Sequence, residues 1–118
     1  MILCAVTDLM FSSRIATAAK FLDREIAFVR SAGDILTRVR DVRPAIVIFD
    51  LNQQSLEPIT AIGAIKADPD LSAIRTIGYV SHVDTATIVA ARAAGADDVL
   101  ARSAFTEQLG DILSASGR

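Results

Sequence analysis

The sequence predicts an α/β fold in which a parallel sheet is covered by helices on both faces. Short apolar runs alternate with longer segments of helical period along the whole chain. The third run, Ala45-Ile46-Val47-Ile48-Phe49, contains no polar residue, the pattern of a strand buried on both faces at the centre of a parallel sheet.

Each element has its own signal. Residues 2–6 (Ile-Leu-Cys-Ala-Val) read as a first buried strand. The helix that follows takes Ser12 or Ser13 as its N-cap and turns Ile15, Ala18, Ala19 and Leu22 inward. Residues 26–29 form a second strand. Ser31 or Gly33 opens a second helix, with Ile35, Leu36, Val39 and Val42 inside, Arg38, Arg40, Asp41 and Arg43 outside, and Pro44 barring its continuation. Pro58 suits the first turn of a third helix that runs to about Ala67. Residues 77–80 are a fourth strand. Asp84 caps a fourth helix that stops at Gly95. Residues 99–101 give a short edge strand, and Thr106 with Leu109, Ile112 and Leu113 marks the last helix. Residues 1–118 make a single domain, with 114–118 read as a fraying tail.

Strands alternating with crossover helices must run parallel, and right-handed crossovers restrict the topology. The expected architecture is the flavodoxin-like doubly wound (βα)5 three-layer sandwich with strand order 2-1-3-4-5. Composition agrees: 52% of residues are hydrophobic and 22% charged, which argues against disorder. The net charge of −2, with its basic residues scattered, leaves no nucleic-acid footprint. The single cysteine, Cys4, lies in the first apolar run and reads as a buried structural thiol. That run is too short for a signal core or membrane span and has no basic leader. A soluble, cytoplasmic protein is expected.

Parallel strands gather the residues that follow them along one edge, where such folds bind ligands. Those residues are Thr7 and Asp8, Asp50 and Asn52, Ser81 and His82, and Arg102 with Ser103. Two carboxylates, a hydroxyl and a guanidinium suit a cation, an oxyanion, or both.

In order and position these residues resemble the receiver domains of bacterial response regulators in two-component signalling, across essentially the whole chain. Asp50, in Val47-Ile48-Phe49-Asp50-Leu51-Asn52, matches the phosphoacceptor. Thr7 and Asp8 stand at the acidic pair that ends the first strand, Ser81 at the Ser/Thr that ends the fourth, and Arg102 at the lysine that ends the fifth. Residues 93–100 (Ala-Ala-Gly-Ala-Asp-Asp-Val-Leu) are similar to the family's approach to that strand. The resemblance implies Mg2+ held by Asp8, Asp50 and the backbone carbonyl of Asn52, with Ser81 and Arg102 contacting the phosphoryl group. It also implies a stand-alone, non-enzymatic signalling module. Its partners would be a sensor histidine kinase or phosphotransfer protein and a downstream protein.

The chain departs from the family at informative points. Thr7 removes a carboxylate, and Arg102 replaces a compact ammonium with a planar fork. Ser103 stands where a proline and its cis peptide are usual, Gln53-Gln54 where Met-Pro is, and Pro58 where glycine is common. Val99 takes the place of the aromatic ring that swings on phosphorylation. These changes describe an atypical receiver, and the alternative is a pseudo-receiver whose Arg102 pairs with Asp50 or Asp8 without phosphate. A nucleotide- or flavin-binding enzyme ranks last, because residues 7–11 lack a phosphate-cradling glycine. Asp8 has a second reading as a cap, His82 reads as a solvated loop residue, and Asp97-Asp98 as a solvent-facing turn. The third and fourth helices carry few charges, which marks an expected contact face for a protein partner or a second copy in a homodimer.

Overall fold

The computed structural model describes residues 1–81 and 84–115. Among them the strands are β1 (Ile2–Ala5), β2 (Ile26–Val29), β3 (Ile46–Asp50), β4 (Arg75–Val80) and β5 (Asp98–Ala101). The helices are α1 (Leu9–Phe21), α2 (Ala32–Val42), α3 (Pro58–Ala67), α4 (Thr85–Ala94) and α5 (Arg102–Ala115). Every pairing is parallel and the order is 2-1-3-4-5, with β5 at an edge as expected.

Alternation along the strands sorts the core into two layers. Leu3, Val47, Phe49 and Val80 face α2, α3 and α4, packing with Ile35, Val39, Ile62 and Ile65. Ile2, Cys4, Ile46, Ile48, Ile77 and Tyr79 face α1 and α5, packing with Phe11, Ile15, Phe105, Leu109 and Leu113. Two apolar faces explain why β3 has no polar position before Asp50. Cys4 is fully buried, and burial pushes its thiol well above the usual range, as befits a structural residue.

Several boundaries differ from the sequence reading, each for a local reason. Asp8, not Ser12 or Ser13, caps α1: its Oδ1 accepts from the backbone N–H groups of Met10 and Phe11 at 2.9 and 3.1 Å. Ser12 is instead buried inside the helix. α5 begins at Arg102, directly after β5, rather than at Thr106, whose hydroxyl donates to the Arg102 carbonyl. Its other end holds Ser114 and Ala115 within the helix, where Arg24 donates to the carbonyls of Leu113 and Ser114. The expected tail shrinks accordingly, and residues 116–118, like His82, lie outside the described residues.

Asp97 stands exposed in the bend before β5, as the sequence reading had it, but both acids of the Asp97-Asp98 pair are held by partners and Asp98 belongs to a strand. Asp98 starts β5 and pairs with Arg75 at 2.9 Å. Asp97 Oδ2 accepts from Lys66 Nζ at 2.8 Å, from the Thr76 N–H at 2.8 Å and from the Thr76 hydroxyl. Burial alone would raise its pKa, but the Lys66 and Thr76 hydrogen bonds outweigh that and hold it low. Lys66 is thereby turned inward, also donating to the carbonyls of Ser72 and Ile74, and its stem lies where a Cβ on Gly95 would fall. Gly95 has a φ of +107°, so both backbone and space require glycine at this helix end. Asp97→Ala leaves the N–H of fully buried Thr76 without its acceptor and is expected to cost about 1 to 2 kcal/mol in urea unfolding, with Asp97→Asn losing less.

Candidate functional site

Four strand ends meet at one edge of the sheet. Asp50 closes β3 and lies by alternation on the side of Ile46 and Ile48, facing α1 and α5. The chain turns at once: the Asn52 N–H donates to Asp50 Oδ1 at 3.0 Å and the Gln53 N–H to the Asp50 carbonyl at 3.2 Å. Asn52 reaches across to the end of β4, where its Oδ1 accepts from both the backbone N–H and the hydroxyl of Ser81, at 2.6 and 2.9 Å. Between β1 and β5, Arg102 Nη2 donates to Asp8 Oδ2 at 3.2 Å. Asp8 therefore has both of its roles at once, one oxygen capping α1 and the other holding the guanidinium.

The sequence predicts the convergence of Asp8, Asp50, Asn52, Ser81 and Arg102, and all five line this edge. Of the two partners proposed for Arg102, the structure selects Asp8. Sequence reasoning missed the aromatic support beneath the pair. The Arg102 guanidinium lies over the Phe11 ring at 4.2 Å from its centroid. Phe11 in turn packs against Tyr79 at 4.9 Å, and Tyr79 stacks on Phe105 at 5.0 Å. The available signal was Phe11 itself, in the first turn of a helix whose N-cap is the acid. The buried Tyr79 hydroxyl makes no hydrogen bond among the described residues, and burial, with the nearby Asp50 charge, pushes it up.

Electrostatics separates the two acids. The Phe11 backbone N–H, aided by Arg102, holds Asp8 below the usual carboxylate range against some desolvation. Burial raises Asp50, and the charge of Asp8 adds to this, while the Asn52 N–H and Arg102 pull the other way without offsetting it. Asp50 thus carries a penalised charge in a half-buried position, whereas Asp8 is held as a paired anion.

A divalent cation does not fit this arrangement. Magnesium prefers six oxygens in near-octahedral geometry. Here both Asp8 oxygens are engaged, one by a guanidinium, and Thr7 adds no carboxylate. Among the described residues no group of three or more His, Cys, Asp or Glu side chains could hold a metal ion.

Two clefts share Arg102 in their lining. One of about 420 Å³ is lined by Asp8, Met10, Phe11, Arg14 and Arg102. A larger one, about 760 Å³, runs from Ser81 and Arg102 past Val80, Ile88 and Val99. The large exposed apolar side chains are Leu9, Met10 and Phe21 on α1, and Val89 on α4, one of the two helices read as a contact face. Lys66, the one charged side chain of α3, is turned inward. Among the described residues no helix is long and apolar enough to cross a membrane.

No family model matches the chain, nor does any curated protein. Solved structures do. A response-regulator signal receiver domain from Bermanella marisrubri aligns with a TM-score of 0.83 and 21% identity, over 98% of this chain and 95% of that one. The phosphorylated cyanobacterial phytochrome response regulator RcpA aligns at 0.81 and 20%, over 97% and 88%. The Mn2+-bound form of response regulator Rcp1 aligns at 0.77 and 18%, over 97% and 88%. The chain has the fold of response-regulator receiver domains.

The raised pKa of Asp50 carries a sign. Because the folded value lies above the unfolded one, its contribution to stability is complete only below the ordinary carboxylate range and is lost as pH rises through the folded value. Asp50→Asn keeps an oxygen for the Asn52 N–H and removes the penalised charge. It is expected to melt at higher temperature than wild type at neutral pH, with the advantage disappearing in acid, as followed by thermal melts across the carboxylate range.

Proposed function

We propose that the chain is a receiver-type module of cytoplasmic signal transduction that works by protein–protein contact, with Asp50 as its phosphoryl acceptor. The observation that carries this reading is the state of Asp50: half-buried at the end of the central strand, its charge penalised, within reach of the Arg102 charge and two residues before Asn52, which holds Ser81. The fold and its likeness to response regulators support it.

In the proposed chemistry an Asp50 carboxylate oxygen attacks the phosphorus of a donor. The bond from phosphorus to the leaving group breaks, that group departs with the electron pair, and an acyl phosphate remains. Arg102 supplies positive charge to the equatorial oxygens, and its fork suits a phosphoryl group. Ser81 exchanges its bond to Asn52 for one to a phosphoryl oxygen. The Mg2+ expected from the resemblance has no place in this scheme while Arg102 holds Asp8. A sensor histidine kinase or a phosphotransfer protein would supply the phosphoryl group. The output would be a contact with a downstream protein or a second copy, and the module itself would not be an enzyme.

The Arg102–Asp8 pair also favours a second reading, a pseudo-receiver held in one conformation whose partner needs no phosphate.

Incubation with a small phosphodonor such as acetyl phosphate, with and without Mg2+, followed by intact-mass measurement, separates the two. A phosphoryl adduct absent from Asp50→Asn is the expected result. An unmodified protein that still binds its partner would favour the second reading. Ser81→Ala is expected to slow adduct formation about tenfold, less than the loss from an enclosed oxyanion donor because Ser81 is exposed.

A further inference from the structure

Asp8 is the one carboxylate that the end of β1 can offer a metal beside Asp50, because Thr7 adds none. It is also the acid whose oxygens are all engaged. Oδ1 accepts two backbone N–H groups, and its loss would uncap α1. Oδ2 accepts Arg102 at 3.2 Å. The guanidinium is held from below as well, 4.2 Å from the centroid of the Phe11 ring, which is itself wedged against Tyr79 and Phe105. A guanidinium is weakly hydrated and planar, so it rests on a ring more readily than an ammonium would.

A divalent ion arriving at Asp8 Oδ2 would meet this guanidinium at the same oxygen. Like charges so close repel in a half-buried pocket, and neither can be screened by moving into bulk water without giving up Asp8.

We infer that Arg102 is the resident cation of this pocket, and that Arg102 and a divalent metal ion occupy Asp8 in mutual exclusion. Metal affinity is then set by the work of lifting a guanidinium from its ring and its acid, and a metal bound at Asp8 leaves Arg102 free to point elsewhere. The inference concerns the pocket's cation and does not depend on whether Asp50 accepts a phosphoryl group.

The test uses metal alone, with no phosphodonor. Mn2+ binding is followed by the loss of the free-ion electron paramagnetic resonance signal, in wild type, Arg102→Ala and Arg102→Gln, each shown by circular dichroism to be folded. Both variants are expected to bind Mn2+ about tenfold more tightly than wild type, and Asp8→Asn in the Arg102→Ala background to abolish the gain. In wild type, Mg2+ should move the Arg102 Nε–H resonance in step with its binding. Equal Mn2+ affinity in wild type and both variants would overturn the inference. So would failure of the folded variants to bind Mn2+ at all, since Arg102 would then not be what excludes it. An Arg102 resonance unmoved at saturating Mg2+ would do the same.

Discussion

The parallel register of β1, β3, β4 and β5 is the constraint on which the rest depends. Because all four strands run the same way and pair in step, the first residues beyond them are brought to one edge without any sequence proximity. Asp8 and Arg102 are far apart in the chain yet share a hydrogen bond. Burial of β3 on both faces does the second half of the work. A carboxylate at the end of so apolar a strand cannot be fully hydrated, and its altered acidity follows first from that burial, with the Asp8 charge adding to it.

Around that acid the pocket divides into two locks. One joins β3 to β4 through Asn52 and Ser81, and the other joins β1 to β5 through Asp8 and Arg102. The first is neutral and made of ordinary hydrogen bonds. The second is ionic, rests on an aromatic stack, and uses the same oxygen that a metal would want. Arginine at position 102 is therefore not a conservative stand-in for lysine. Its fork reaches Asp8 while its plane covers Phe11, a combination that a point-like ammonium does not offer.

Much of this was legible in the residues. The apolar run before Asp50, the proline at position 58 and the pairing of Asp84 with Gly95 located β3, α3 and α4 because each signal acts through local backbone physics. The starts of α1 and α5 were misplaced for the opposite reason. Ser12 and Ser13 have the composition of a cap, but Asp8 already supplies the acceptor, and the helix begins earlier. Thr106 resembles a start, yet β5 passes into α5 with no loop to announce it. Asp97 is exposed, as read, but its pairing went unseen because its partners, Lys66 and Thr76, belong to other elements. Such tertiary pairings leave no periodic trace. Phe11 fell in the segment read as the loop after the first strand, so neither its burial nor its face toward Arg102, which depends on where α5 docks, was legible.

The abrupt passage from β5 to α5 bears on how fast the pocket can change. Arg102 is the first residue of a helix anchored by Phe105, Leu109, Ile112 and Leu113, so its backbone has nowhere to travel. The guanidinium can change partners only by turning its own side-chain torsions, motions that for partly exposed residues run from picoseconds to nanoseconds. An exchange of cations at this edge would then be paced by the arrival of the incoming ion rather than by any rearrangement of the fold.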